Sequence, residues 1–164
     1  MKRSTSEKVL DRATLQRRLT SLRESGKTIA FANGLFDILH VGHLRYLRGA
    51  AEVADILVVA VNADRSAREL KGPGRPVTPQ HERAELIAGF DCTDFVTIFD
   101  ELTVEPLLRA LRPDFHCKGT DYTAENVPEA AIAKELGIEV AIVGDPKDHA
   151  TREIIERLST PDDS

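Results

Sequence analysis

Phe31-Ala-Asn-Gly-Leu-Phe-Asp-Ile-Leu-His-Val-Gly-His43 is the stretch that decides the fold. The apolar run Thr28-Ile-Ala-Phe-Ala32 stops at Asn33-Gly34, a pair suited to a sharp turn. Beyond it Val41, Leu44, Leu47 and Ala51 recur with a helical period, so the spacing predicts a strand, a tight turn and a helix laid on a sheet by that stripe. His40 and His43 then stand one turn apart at the helix mouth, and Gly42 between them leaves room for a bulky group. A helix N-terminus offers unpaired N–H groups and the positive end of the dipole to an anion. Two readings of the imidazoles follow: they cap the helix or pair with nearby carboxylates, or they face a polyphosphate. A metal centre has no third histidine or cysteine close in sequence, and no metal ligand is assigned.

The rest of the chain alternates strand and helix patterns. Asp11 can cap a first helix with Leu15, Leu19 and Leu22 on one face, ended by Gly26. Ile56-Leu-Val-Val-Ala-Val61 is continuously apolar, as in a strand of a parallel sheet covered on both faces. Lys71 to Pro79 reads as a Gly/Pro loop, and Gln80 to Phe90 as a helix with Ala84, Ile87 and Ala88 inward. Strands follow at Phe95–Phe99, Phe115–Cys117 and Glu139–Val143, with helices over Val104–Leu111, Pro128–Leu136 and residues 150–158, the last burying Ile154, Ile155 and Leu158. This order predicts one α/β domain over residues 9–158, three layers deep with a mainly parallel sheet. Residues 1–8 and 159–164 are expected to be flexible termini.

Composition narrows the function. The 164 residues, 41% hydrophobic, suffice for one domain with a core of its own. A net charge of −5 argues against a general nucleic-acid surface. Cys92 and Cys117 are the only cysteines, which suits a reducing cytoplasm. The polar start lacks the apolar segment of a signal peptide, so neither secretion nor a membrane span is expected. Neither G-x-G-x-x-G after the first strand nor G-x-x-x-x-G-K-[ST] occurs, which removes dinucleotide oxidoreductases and P-loop hydrolases.

The His-Val-Gly-His box with Val61-Asn-Ala-Asp64, Leu70-Lys-Gly72, Arg75-Pro-Val77 and Lys118-Gly-Thr-Asp-Tyr122 resembles the HxGH nucleotidyltransferases, which share a Rossmann-like core. The likeness runs from about residue 9 to about residue 158 and is greatest to the group that adenylylates D-glycero-β-D-manno-heptose 1-phosphate. It implies a bacterial, cytoplasmic enzyme that moves AMP from ATP, with Mg²⁺, to a sugar 1-phosphate, and a homodimer. The Leu15/Leu19/Leu22 face is one candidate dimer surface, although the same stripe can pack within its own chain. Three other readings stay open: a cytidylyltransferase using CTP with glycerol 3-phosphate or another small phosphorylated alcohol, a nucleotide-binding module without catalysis, and a structural partner protein whose histidines are local caps.

The resemblance implies catalytic roles for His40, His43 and Lys71. It implies nucleotide contacts from Asn33, Gly34, Phe36, Gly42, Asn62, Asp64, Arg75, Arg83, Lys118 and Thr151, and acceptor contacts from Asp37 and Asp121. Several have a plainer alternative: Lys71 and Arg75 solvated loop residues, Arg83 a surface helix arginine, Phe36 packing, Asp37 a cap or a hold on a neighbouring donor, Asp64 a loop stabiliser, and Lys118 to Tyr122 a hairpin-like turn. Two departures from the family pattern stand out. Thr120 replaces the glycine of the usual Lys-Gly-Gly-Asp-Tyr, and Asp148-His-Ala-Thr-Arg152 replaces a Ser-Thr-Thr box, leaving Thr151 one hydroxyl and His149 as a substitute contact or an exposed polar residue.

Overall fold

The strand at the centre of the sheet, β1 (Ile29–Gly34), feeds a core on each face, because successive side chains of a strand point to opposite sides. Ile29 and Phe31 join one cluster, and Ala30 and Ala32 the other. This computed structural model describes residues 3–146 and 150–160. Beside β1 lie β2 (Ile56–Asn62), β3 (Phe95–Phe99), β4 (Phe115–Lys118) and β5 (Glu139–Ile142), in the order β3-β2-β1-β4-β5 with every neighbouring pair parallel. The helices are α1 (Thr5–Lys8), α2 (Arg12–Glu24), α3 (Val41–Ala51), α4 (Asp64–Lys71), α5 (Gln80–Ala88), α6 (Glu105–Leu111), α7 (Ala130–Leu136) and α8 (Thr151–Ser159). Leucines of α2 and α6 with Ile132 of α7 cover one face, and Leu47 and Ala50 of α3 with Ala84 and Ile87 of α5 cover the other. The result is the expected three-layer, Rossmann-like α/β architecture. Among the described residues no helix is long and apolar enough to cross a membrane.

Several local expectations are corrected. Lys71 closes α4 instead of opening a loop, and that helix escapes the apolar pattern because its buried residues are only Ser66 and Ala67. Val41 is exposed while Leu47 and Ala50 are buried, so α3 leans on the sheet through its second half. In α8, Ile154 and Ile155 are half-buried and Leu158 is exposed, so the helix lies on the surface. Leu15 and Leu19 are wholly inside, which gives the α2 stripe to the chain's own core. Thr5–Lys8 is a helical turn closed by a Ser4–Glu7 capping box, and the Lys8 ammonium donates to the Phe90 carbonyl. Residues 1–2 and 161–164 of the expected flexible ends lie outside the described residues.

Candidate active site

Strand order reverses at β1: β2 and β3 lie on one side of it and β4 and β5 on the other. In an open parallel sheet such a reversal leaves a crevice beyond the carboxyl ends of the strands. Here it is an open cleft of about 790 Å³, in the size range of small-molecule sites. Asn33, Gly34, Phe36, Asp37, His40, Gly42 and His43 line it from β1 and α3. Asn62, Lys71 and Arg75 enter from the β2 side, and Lys118, Asp121 and Thr151 from the β4 side and α8. Asp64 and Arg83 do not line it.

Both histidines line the cleft, and each commits one ring nitrogen to the start of α3. His40 is the N-cap of α3, and its Nδ1 accepts the Gly42 N–H at 3.1 Å. His43 Nδ1 accepts the His40 N–H at 3.2 Å. These bonds satisfy backbone donors that a helix start otherwise leaves unpaired. A neutral ring that accepts at Nδ1 carries its proton on Nε2. Capping and phosphate binding are therefore compatible: one nitrogen of each ring caps while the other is a donor. The rings stack at 4.0 Å between centroids, and Phe36 meets His43 edge-on at 5.6 Å. Phe36 is buried, and a Cβ on Gly34 would meet its ring at 3.2 Å, so this aromatic packs between β1 and His43.

Asp37 ties three segments together. It sits between Phe36 and Ile38, both at positive φ, a costly conformation for non-glycine residues and most so for a β-branched one. Its Oδ2 accepts from Arg75 Nε and the Val77 N–H, each at 2.9 Å, and its Oδ1 accepts the Thr78 N–H at 3.0 Å. Burial pushes this carboxyl up, but the two backbone N–H bonds and the Arg75 guanidinium outweigh it and hold the group below the usual carboxylate range. Thr151 Oγ1 donates to the Asp37 carbonyl at 2.8 Å, joining α8 to the same turn. The carboxylate thus holds neighbouring donors, and Arg75 is anchored at Nε while its guanidinium borders the cleft.

Arg83 is wholly buried, not a surface arginine. It donates to the carbonyls of Thr78 and Leu35 and to Asp64 Oδ1, the last at 2.9 Å, supporting from beneath the loops that carry the site. Asn62, also buried, donates to Ser66 Oγ at 3.3 Å.

At the end of β4, Lys118 Nζ lies 3.5 Å from Glu129 Oε2 and 4.7 Å from the centre of the Tyr122 ring. Thr120 donates its hydroxyl to the Asp145 carbonyl at 2.8 Å, so the departure from glycine gains a tie between two loops at the mouth. Arg45 pairs with the Asp145 carboxylate at 3.3 Å. Sequence reasoning missed Arg45, Tyr46, Tyr122, Glu129 and Arg152, all of which line the cleft. Arg45 follows His43 by two residues and Tyr122 stands inside the quoted box, so both were within reach of it; Glu129 has no local signal. The Tyr46 hydroxyl donates to the Cys117 carbonyl at 2.7 Å, and burial raises its pKa. His149 lies outside the described residues. No group of three or more His, Cys, Asp or Glu placed to hold a metal occurs among the described residues.

A family model described as cytidylyltransferase-like matches residues 31–160. The bifunctional protein HldE of Syntrophotalea carbinolica is 42% identical over 151 residues, which covers 92% of this chain and 31% of that protein. Its counterpart in Geotalea uraniireducens is 44% identical over 135 residues, covering 82% of this chain and 28% of that one. The chain therefore spans about a third of the length of the curated relatives it matches. The crystal structure of a lipopolysaccharide core biosynthesis protein from Thermoplasma volcanium GSS1 matches with a TM-score of 0.64 and 25% identity, covering 74% of this chain and 100% of that one. With its HVGH turn at the switch point of a parallel sheet, and a family match running from β1 through α8, this chain belongs to the cytidylyltransferase-like family.

Proposed function

We propose that this chain transfers AMP from ATP to D-glycero-β-D-manno-heptose 1-phosphate, forming ADP-heptose and pyrophosphate. The carrying observation is the pair of stacked imidazoles, each accepting a backbone N–H at Nδ1, at a helix N-terminus in a cleft that Lys71, Arg75 and Lys118 also line. Choice of acceptor is supported by the likeness to HldE proteins and by the lipopolysaccharide role of the structural neighbour.

In this reaction an oxygen of the sugar 1-phosphate attacks the α-phosphorus of ATP. One P–O bond forms there as the bond to the bridging oxygen of the β-phosphate breaks, and pyrophosphate leaves with the electron pair. The nucleophile is already an anion, so catalysis rests on positioning and on donors aimed at developing charge. His40 and His43 supply those donors through Nε2, and the N-terminus of α3 adds its partial positive charge. Lys71 and Arg75 contact the polyphosphate from the β2 side and Lys118 from the β4 side, while Asp121 accepts from the hydroxyls of the acceptor sugar. Asn33, Gly34, Gly42, Asn62 and Thr151 shape the nucleotide pocket. ATP would bring Mg²⁺ with it as part of the substrate, and no protein ligand is assigned to that ion, the Asp37 and Asp64 carboxylates being paired with Arg75 and Arg83.

The family description favours one second reading, a cytidylyltransferase, which would use CTP with glycerol 3-phosphate or another small phosphorylated alcohol. A matrix of ATP and CTP against heptose 1-phosphate, glycerol 3-phosphate and other phosphorylated alcohols, with pyrophosphate and intact product measured by mass, separates the two. ADP-heptose as the preferred product is expected; CDP-glycerol without ADP-heptose replaces the assignment, and specific nucleotide binding without pyrophosphate release from any pair makes the chain a binding module.

A further inference from the structure

His116 is a buried, titratable side chain with no part in the mechanism above. It stands on β4 opposite Phe31 of β1, with the two rings 5.6 Å apart. Two residues further along β1, on the same face of the strand, Asn33 places its Oδ1 3.0 Å from His116 Nε2. The ring is wholly buried, and its Nδ1 is buried without a hydrogen-bond partner. Burial, reinforced by the Lys118 ammonium, pushes the imidazole down to about 3, so it is neutral at any physiological pH.

A neutral imidazole has one N–H, which leaves two arrangements. In the first, Nε2–H donates to Asn33 Oδ1 and the orphaned Nδ1 is only a lone pair. In the second, the amide is reversed, its NH₂ donates to Nε2, and the orphaned Nδ1 is a buried N–H. Orphaned buried N–H groups are rarer than under-satisfied acceptors, which selects the first. We propose that His116 is a positioning residue: by donating its Nε2–H to Asn33 Oδ1 it turns the Asn33 NH₂ into the cleft as a fixed donor for an anionic substrate oxygen. An amide without this anchor presents its oxygen as readily as its nitrogen, and an oxygen facing phosphate repels it. Fixing the amide before substrate arrives supplies the donor without reorganisation. The role of Asn33 in substrate binding rests on the nucleotidyl-transfer reading; the orientation of the pair does not.

The test has two arms on the full chain. In the ligand-free protein, the ring-nitrogen ¹⁵N shifts of His116 should show Nε2 protonated and Nδ1 bare, unchanged from about pH 8 to about pH 5. A proton on Nδ1, or an imidazolium within that range, overturns the proposal whether or not the chain turns over any acceptor. Kinetics form the second arm. His116→Phe keeps an aromatic beside Phe31 but removes the donor, and should lower kcat about tenfold with KM for ATP nearly unchanged, as loss of one donor bond implies. His116→Gln, whose amide can donate to Asn33, should recover to within about threefold of wild type. In an Asn33→Ala background His116→Phe should cost nothing further. A folded His116→Phe protein with wild-type kcat, or losses that multiply in the double variant, overturns the role. If the Phe variant does not fold, a Gln variant impaired more than about tenfold does so instead. Wild-type protein inactive on every nucleotide and acceptor pair defeats the functional reading, while the ring shifts still decide the orientation.

Discussion

Asp37 accepts the Nε–H of Arg75 at 2.9 Å from a position only 1% exposed, and the same carboxylate receives the backbone N–H groups of Val77 and Thr78. Asp37→Asn keeps the size but removes the charge and sets an NH₂ against a backbone N–H that needs an acceptor. Breaking a buried charge pair from one side is expected to destabilise the fold by about 3 kcal/mol at neutral pH. The folded carboxyl has its pKa held below the unfolded value of about 3.9, so its stabilising contribution is present above that pH and is lost as pH falls through the folded value. Urea unfolding across the acid range should show a shallower loss of stability in Asp37→Asn than in wild type; parallel profiles would remove Asp37 as a source of acid sensitivity.

His43→Ala should lower kcat by about a hundredfold, on the order of 3 kcal/mol, with a much smaller change in KM for ATP. His40→Ala should show a similar loss together with some destabilisation, because its Nδ1 caps α3. Steady-state pyrophosphate release measures both, and near-full turnover by His43→Ala would sink the central assignment.

Arg83→Lys trades a planar fork for a single ammonium at a wholly buried position with three oxygen partners, the Thr78 and Leu35 carbonyls and Asp64. An ammonium cannot reproduce that geometry. A loss of about 3 kcal/mol is expected, read as a lower Tm. A variant with unchanged Tm but weaker ATP binding would instead mean that Arg83 reaches the nucleotide.

Thr151→Ala removes the bond from α8 to the Asp37 carbonyl and should cost about 1 kcal/mol. The loss should appear as faster hydrogen exchange in the first turn of α8, with Thr151→Ser close to wild type. If turnover and exchange are both unchanged, the hydroxyl leaves the site.

Gly49→Ala places a Cβ 3.0 Å from the Gly144 nitrogen and 3.2 Å from Val143 Cβ, where α3 meets the end of β5. Overpacking of this kind should destabilise by about 2 kcal/mol. Because α3 carries both histidines, kcat should fall in the folded variant as well; an unaltered Tm would show that β5 yields freely.

The strands were legible wherever burial on both faces wrote an uninterrupted apolar run, as in Ile56–Val61 of β2, and the expected bounds of Phe95–Phe99 are those of β3. The cleft was legible as well, since the quoted motifs fall at strand ends and strand ends of a parallel sheet converge. Lost to local reading was whatever depends on partners distant in the chain. Arg83 looks like a helix-surface residue until loops at Leu35 and Thr78 close over it. His116 gives no signal because its meaning lies in Asn33, 83 residues earlier. The α4 helix hid for the opposite reason, packing through Ser66 and Ala67, too small to mark a hydrophobic period.

The central place of β1 also shapes how the molecule is made. One edge of β1 pairs with β2, close in the chain, while the other waits for β4, whose register joins Ala30 to Phe115 and Phe31 to His116. Synthesis from the N-terminus therefore releases the β3-β2-β1 half and its helices first, with the far edge of β1 bare until residues near 115 emerge. An unpaired edge is a template for joining other chains. The cleft lies along that late seam, so the nascent chain carries an unpaired strand edge at the place where the finished fold opens its crevice.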